Sequence, residues 1–199
     1  VELINNPATR TEIPLASKTS MELALRRIGQ QMNRESDVLF LYMTSHGLPN
    51  VFEMENAPLD LAQVDPKWLK EALDASGIRW RVIVISSCYS GSFIPALQND
   101  NTLIITASAA DRQSFGCSNE AEYTYFGRAF FDQAMREQTS IQAAFNETKA
   151  TVAKWEAAQG FEPSEPQWSM GKNMALMLPQ LEQRLFPPTT TAPATTVTP

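Results

Sequence analysis

Histidine is almost missing from this 199-residue chain: there is one, His46, and there are only two cysteines, Cys88 and Cys117. Two cysteines cannot build a disulfide framework, and with one histidine they fall short of a tetrahedral zinc site. No metal is therefore expected. Basic residues are also scarce, 16 against 22 acidic for a net charge of −6. Nucleic-acid binders present a clustered basic face, which this balance argues against. No apolar run approaches the roughly 18–20 residues that span a bilayer. There is no Gly-x-Ser-x-Gly nucleophile elbow around any serine, and no internal repeat.

What remains fits one domain of ordinary size with a real core. Its boundaries are read as 1–186 for the folded domain and 187–199 for a solvated tail made almost entirely of Pro, Thr and Ala. Such a tail points to the cell envelope or periplasm, with the cytoplasm as the alternative. The chain opens at Val1, not at methionine, so a leader, an anchor or a first strand is expected to have been cut away.

Apolar runs alternate with helical patterns. Val1–Ile4 reads as a short strand. Thr19, with Glu22 three residues on, reads as a capping box opening a helix whose apolar face is Met21, Leu25, Ile28 and Met32. Val38–Met43 is apolar throughout, the pattern of a strand covered on both faces. An irregular stretch, 48–64, follows. Asp65-Pro66 is a strong helix start, with Trp68, Leu69, Ala72 and Leu73 as the buried stripe and Gly77 as the stop. Further strands are expected at Val82–Ser86, Leu103–Ala107 and 164–170, and helices at 93–98, 124–137, 140–158 and 173–185. Strands alternating with helices predict an α/β fold with a mostly parallel sheet and helices on both faces.

Ser45-His46-Gly47 stands at the end of one buried strand, and Ser86-Ser87-Cys88-Tyr89-Ser90-Gly91-Ser92 at the end of another. In open α/β sheets the ligand crevice lies outside the carboxyl ends of the strands. A thiolate attacks a carbonyl, so a nucleophilic cysteine needs a base, and His46 is the one side chain suited to that at neutral pH. Gly47 gives room for close backbone approach. The N–H groups of Gly47 and Cys88 are reasonable oxyanion donors, and a helix starting near Ser90 would turn its positive end to the thiolate. A lone strand-end cysteine is more often a small buried apolar residue. The paired placement after consecutive strands favours a nucleophile and base, and hence a cysteine hydrolase acting on peptides or proteins. Ser90 as nucleophile is the weaker option.

These motifs resemble the legumain family of caspase-like cysteine peptidases, and most closely its bacterial branch. The resemblance rests on Ser45-His46-Gly47, Ser86-Ser87-Cys88-Tyr89-Ser90-Gly91, the segment from Thr106 to Cys117, and Tyr125-Phe126-Gly127, and covers roughly residues 1–178. It implies a caspase-like three-layer sandwich lacking its first strand, a His46–Cys88 dyad acting through a thioester, and no cofactor. It also makes Ser45, Ser86, Ser114 and Arg128 the candidate substrate-binding residues. Two departures bear on specificity. Legumains carry Glu two residues before the nucleophile, where this chain has Ser86, and an acidic residue where it has Arg128. The residue before the cleaved bond is thus expected to be Asn or Asp, with Arg128 suited to Asp. A transamidase using the same dyad, or an inactive binding module on the same fold, are the alternatives. Cys117 reads as a core, pocket or redox residue, and Trp168 as a core or groove residue.

Overall fold

The computed structural model describes residues 1–6, 11–116 and 123–186. Cys117 and the 187–199 tail lie outside them. The chain runs α1 (Lys18–Gln31), β1 (Val38–Thr44), the short β2 (Gly47–Leu48) and β3 (Val51–Phe52), α2 (Pro66–Ala75), β4 (Trp80–Ser86), a 3-10 turn (Ser90–Phe93), α3 (Ile94–Leu97) and β5 (Thr102–Thr106). There follow α4 (Tyr125–Gly127), a π-helical stretch (Arg128–Ala134) and α5 (Met135–Glu137) in one continuous run, then α6 (Ile141–Gln159), β6 (Gln167–Met170) and α7 (Met174–Leu185).

The main sheet has the order β1-β4-β5-β6. Its first three strands are parallel and β6 is antiparallel to β5. Side chains alternate across a strand, so β4 feeds two cores. Ile83 and Ile85 face Met21, Leu25, Leu69 and Leu73 of α1 and α2. Val82 and Val84 face Phe126, Phe130, Ile141 and Met174 on the other side. Every residue of β4 and β5 is buried, and each fully buried Ile or Leu contributes about 1.5–3 kcal/mol. The outcome is the expected three-layer α/β sandwich. Trp168 of β6 packs on Phe145, ring centroids 5.3 Å apart, within the second core.

Several local expectations are corrected. Residues Val1–Ile4 form no strand; one hydrogen bond, Ile4 N–H to the Pro14 carbonyl (3.0 Å), ties them down. α1 is capped by Ser17, whose Oγ accepts from Ser20 N (3.1 Å), not by Thr19. The polar run Ser17–Ser20 offers several hydroxyls, and the earliest captures the helix end. β1 is apolar but not covered on both faces. It forms the edge of the sheet, so Phe40 and Tyr42 stay 39% and 40% exposed while leaning edge-on against Phe131. A groove of about 750 Å³ follows that edge, lined by residues 1–6, Met21 and Leu25 as well as by β1. The 48–64 stretch is less irregular than expected: β2 and β3 pair antiparallel, and Phe52 bridges to Val64.

The Asp65-Pro66 start holds. Asp65 Oδ1 accepts from Trp68 N (2.9 Å), and Gly77 takes φ +73° just past the helix end. The Trp68 amide, with Lys18 beside it, holds the Asp65 carboxyl below its ordinary value despite some burial. A depressed carboxylate stabilises the fold above its unfolded pKa and loses that contribution as pH falls through the folded value. Asp65→Ala is therefore expected to cost about 1 kcal/mol at pH 7. In urea melts the gap to wild type should close in acid below the carboxylate range.

Candidate active site

β1 and β4 run parallel and in register, with Thr44 opposite Ser86. The pairing continues one step beyond the sheet, where Ser45 N–H donates to the Ser86 carbonyl (3.3 Å). The two chains thus leave the sheet side by side, one as His46-Gly47 and the other as Ser87-Cys88. Gly47 is where they touch. A β-carbon built on it would stand 2.6 Å from the Cys88 carbonyl oxygen and 3.1 Å from Ser87 Cβ. Its missing side chain makes room for the backbone of Cys88.

The β2–β3 hairpin fixes the other side of the histidine loop. Glu53 N–H donates to the His46 carbonyl (3.1 Å), and Gly47 is paired with Phe52. In an antiparallel ladder, bonded and non-bonded pairs alternate. With 46 and 53 bonded, Gly47 sits in a non-bonded pair and its N–H turns away from β3. The His46 side chain is exposed.

Cys88 is half-buried and carries no disulfide. Its S–H donates to the Ser114 carbonyl (3.3 Å), and the sulfur accepts from Ser114 N–H at 3.3 Å and lies 3.8 Å from Ser114 Oγ. Tyr89 then turns sharply with φ +55° in the left-handed region, uncommon for a bulky residue and seen where surrounding structure enforces it. The helix expected after the nucleophile is one 3-10 turn and one α turn. That is little aligned dipole, so Ser114 is the donor that reaches the sulfur.

The remaining candidates fall into three places. Ser114 is buried against the thiol. Ser86 is also fully buried, and its Oγ shares a hydrogen bond with Thr124 Oγ1 (3.0 Å), which accepts from Gly127 N (2.9 Å). A hydroxyl chain thus links the strand two residues before Cys88 to the Tyr125-Phe126-Gly127 turn. Ser45 is half-buried and lines the end of the groove that follows β1. Arg128 is not brought to this cluster. It is exposed, with its guanidinium 5.9 Å from the Trp155 ring centre. It lines a cavity of about 550 Å³ with Gly116, Thr124, Tyr125 and Asp132, whose wall includes neither His46 nor Cys88. Ser90 is buried and bonded to Ser108 (3.2 Å), a structural partner that removes it as a nucleophile. Sequence reasoning missed Ser108 and Thr124. Their one signal was a hydroxyl residue at the end or start of an apolar element, which many structural positions share. Among the described residues no group of three His, Cys, Asp or Glu side chains converges as a metal site would need.

A parallel sheet with helices on both faces, and a histidine and a cysteine leaving adjacent strands, defines a caspase-like α/β protein. The chain superposes on caspase-1 from Spodoptera frugiperda with a TM-score of 0.58 at 14% identity, over 79% of this chain and 69% of that one. Within that class the chain belongs to the Peptidase C13 family, whose model matches residues 24–176. Legumain from Canavalia ensiformis is 35% identical over 82 residues, 40% of this chain and 17% of that protein. A vacuolar-processing enzyme from Ricinus communis is 33% identical over 86 residues, 42% of this chain and again 17% of the relative. The chain therefore matches only a small part of either plant protein's length. The family resembled by the sequence motifs is the one whose model matches residues 24–176.

Proposed function

We propose that this protein is a cysteine endopeptidase whose nucleophile is Cys88 and whose base is His46. The observation that carries the reading is the contact of the two strand exits at Gly47, with the Cys88 sulfur seated on the Ser114 amide. In the first step His46 takes the thiol proton while sulfur bonds to the substrate carbonyl carbon. The oxyanion formed accepts hydrogen bonds from the Gly47 and Cys88 N–H groups. Collapse breaks the C–N bond, and the departing amine takes the proton from His46. Water, deprotonated by His46, then attacks the thioester, and the thiolate leaves with that proton returned to it.

The side chain before the cleaved bond is Asn or Asp. This preference follows the family resemblance; the residue two before Cys88 is Ser86, whose buried hydroxyl is bonded to Thr124 (3.0 Å) and offers no carboxylate to a basic side chain. Fluorogenic peptides differing in that residue test this. Cleavage after Asn or Asp should exceed cleavage after Lys or Arg by at least about tenfold, as hydrogen-bonding sites discriminate. Cys88→Ala should neither cleave nor take a thiol-reactive peptide probe, and undiminished labelling of that variant would refute the nucleophile. Adding an amine to the wild-type reaction separates hydrolysis from acyl transfer: a peptide–amine product would make the protein a transamidase instead.

A further inference from the structure

We propose that Ser108 is the positioning residue of the nucleophile turn, an inference that rests on the Cys88 reading and adds a determinant outside the crevice. Ser108 follows β5 and is 0% exposed. Its Oγ donates to the Ser87 carbonyl (3.1 Å) and accepts from Ser90 N–H (3.1 Å), and the Ser90 hydroxyl lies 3.2 Å away. Its own N–H donates to Ser90 Oγ (3.1 Å). Its carbonyl accepts from Gly91 N–H (3.0 Å) and from Thr106 Oγ1 (2.9 Å).

These bonds straddle Cys88. One hydroxyl holds the residue before the nucleophile and the residue two after it, and between them Tyr89 is bent to φ +55°. A left-handed turn at a bulky residue persists only where its surroundings fix it. Tyr89 N–H is tied separately, to the Arg112 carbonyl (2.8 Å). That bond anchors the middle of the turn but neither end. With the Ser108 hydroxyl removed, a buried carbonyl at 87 loses its only named side-chain donor and a buried amide at 90 its acceptor. The turn can then relax, carrying the Cys88 sulfur and N–H away from Ser114 and from the Gly47 amide. The Ser90 hydroxyl differs. It bonds only within the Ser90–Ser108 pair and does not touch residue 87.

The test compares wild type with Ser108→Ala, Ser108→Thr and Ser90→Ala in peptide hydrolysis, in the pH profile of Cys88 alkylation by iodoacetamide, and in thermal melting. Ser108→Ala should lower kcat by about 10- to 100-fold, the scale of a misplaced reacting group, with KM within about twofold because the pocket is untouched. Its alkylation profile should shift in pH, since sulfur leaves the Ser114 amide. Ser108→Thr, which keeps the hydroxyl, should recover most of the rate. Ser90→Ala should lower the melting temperature comparably while losing much less kcat. Wild-type alkylation kinetics in Ser108→Ala, or equal kcat losses in the two alanine variants, overturns the proposal. If Ser108→Ala does not fold, Thr106→Val removes one of the two donors to the Ser108 carbonyl and leaves the Gly91 N–H in place. It should lower the alkylation rate about threefold, as expected for one lost buried hydrogen bond, and an unchanged rate is then decisive against the role. Alkylation needs no turnover, so this arm stands even if the wild type cleaves no peptide, the result that would instead defeat the peptidase reading.

Discussion

Cys88→Ala is expected to leave no measurable peptide hydrolysis, and His46→Ala to slow it by about 10²- to 10⁴-fold, the usual contribution of a positioned base. The two losses differ in kind. Alanine at 88 removes the atom that forms the thioester, and no change of conditions restores it. Alanine at 46 removes only the proton acceptor, so an intact thiol still rests on the Ser114 amide. Alkali can then do part of the work of the base, because an ordinary thiol ionises near about pH 8.5. The rate of His46→Ala should therefore climb as pH is raised from 7 to 10, while Cys88→Ala stays flat. Steady-state hydrolysis across that range, with iodoacetamide labelling to count intact thiols, checks both. If His46→Ala matches wild type at pH 7, His46 is not the base.

Gly91→Ala should damage both the fold and the Cys88 turn. A β-carbon there would lie 2.6 Å from Ala110 N, 2.8 Å from the Ala109 carbonyl carbon and 2.9 Å from Ser108 O. All three are backbone atoms beside a fully buried residue, so no side chain can swing aside. Either the segment from 108 to 110 moves or the nucleophile turn does, and both carry Ser108 with them. Overpacking of this kind costs about 1–3 kcal/mol and occasionally more. The expected outcome is a lowered urea midpoint together with loss of Cys88 alkylation. Gly160 is the control: it has φ +70° but nothing within 4 Å of the added carbon. Gly160→Ala should lower stability through backbone strain alone, by about 1–2 kcal/mol, and leave the thiol reactive.

The interior strands were legible because β4 and β5 centre on the apolar runs Val82–Ile85 and Leu103–Ile105, the pattern of strands buried on both faces. α2 was legible because Asp65-Pro66 combines a side-chain cap with a preset φ. β1 carries the same apolar signal yet lies at the sheet edge. Hydropathy reports attraction to a core, not the number of neighbouring strands. Thr19 and Ser17 show the matching limit at helix ends, where adjacent hydroxyls compete and geometry chooses. In the candidate site, the strand exits that bear His46 and Cys88 could be read from punctuation after apolar runs. Ser108 and Thr124 could not, because a hydroxyl that braces a turn and one that merely satisfies itself are the same letter. The placement of Arg128 was not legible for a related reason: position after a glycine does not say which way a helix start faces, and here it faces Trp155.

The edge position of β1 also sets how the site wears out. Its ladder to β4 is its only strand pairing among the described residues, and the groove along its free side leaves that flank open. Edge elements breathe at lower free energy than a global melt. When β1 lifts, His46 departs with it and Leu39 and Met43 leave the first core, whereas the residues flanking Cys88 stay bonded to Ser108 at the β5 exit. The two strand exits are therefore expected to part along this one seam, together with the core face that β1 closes.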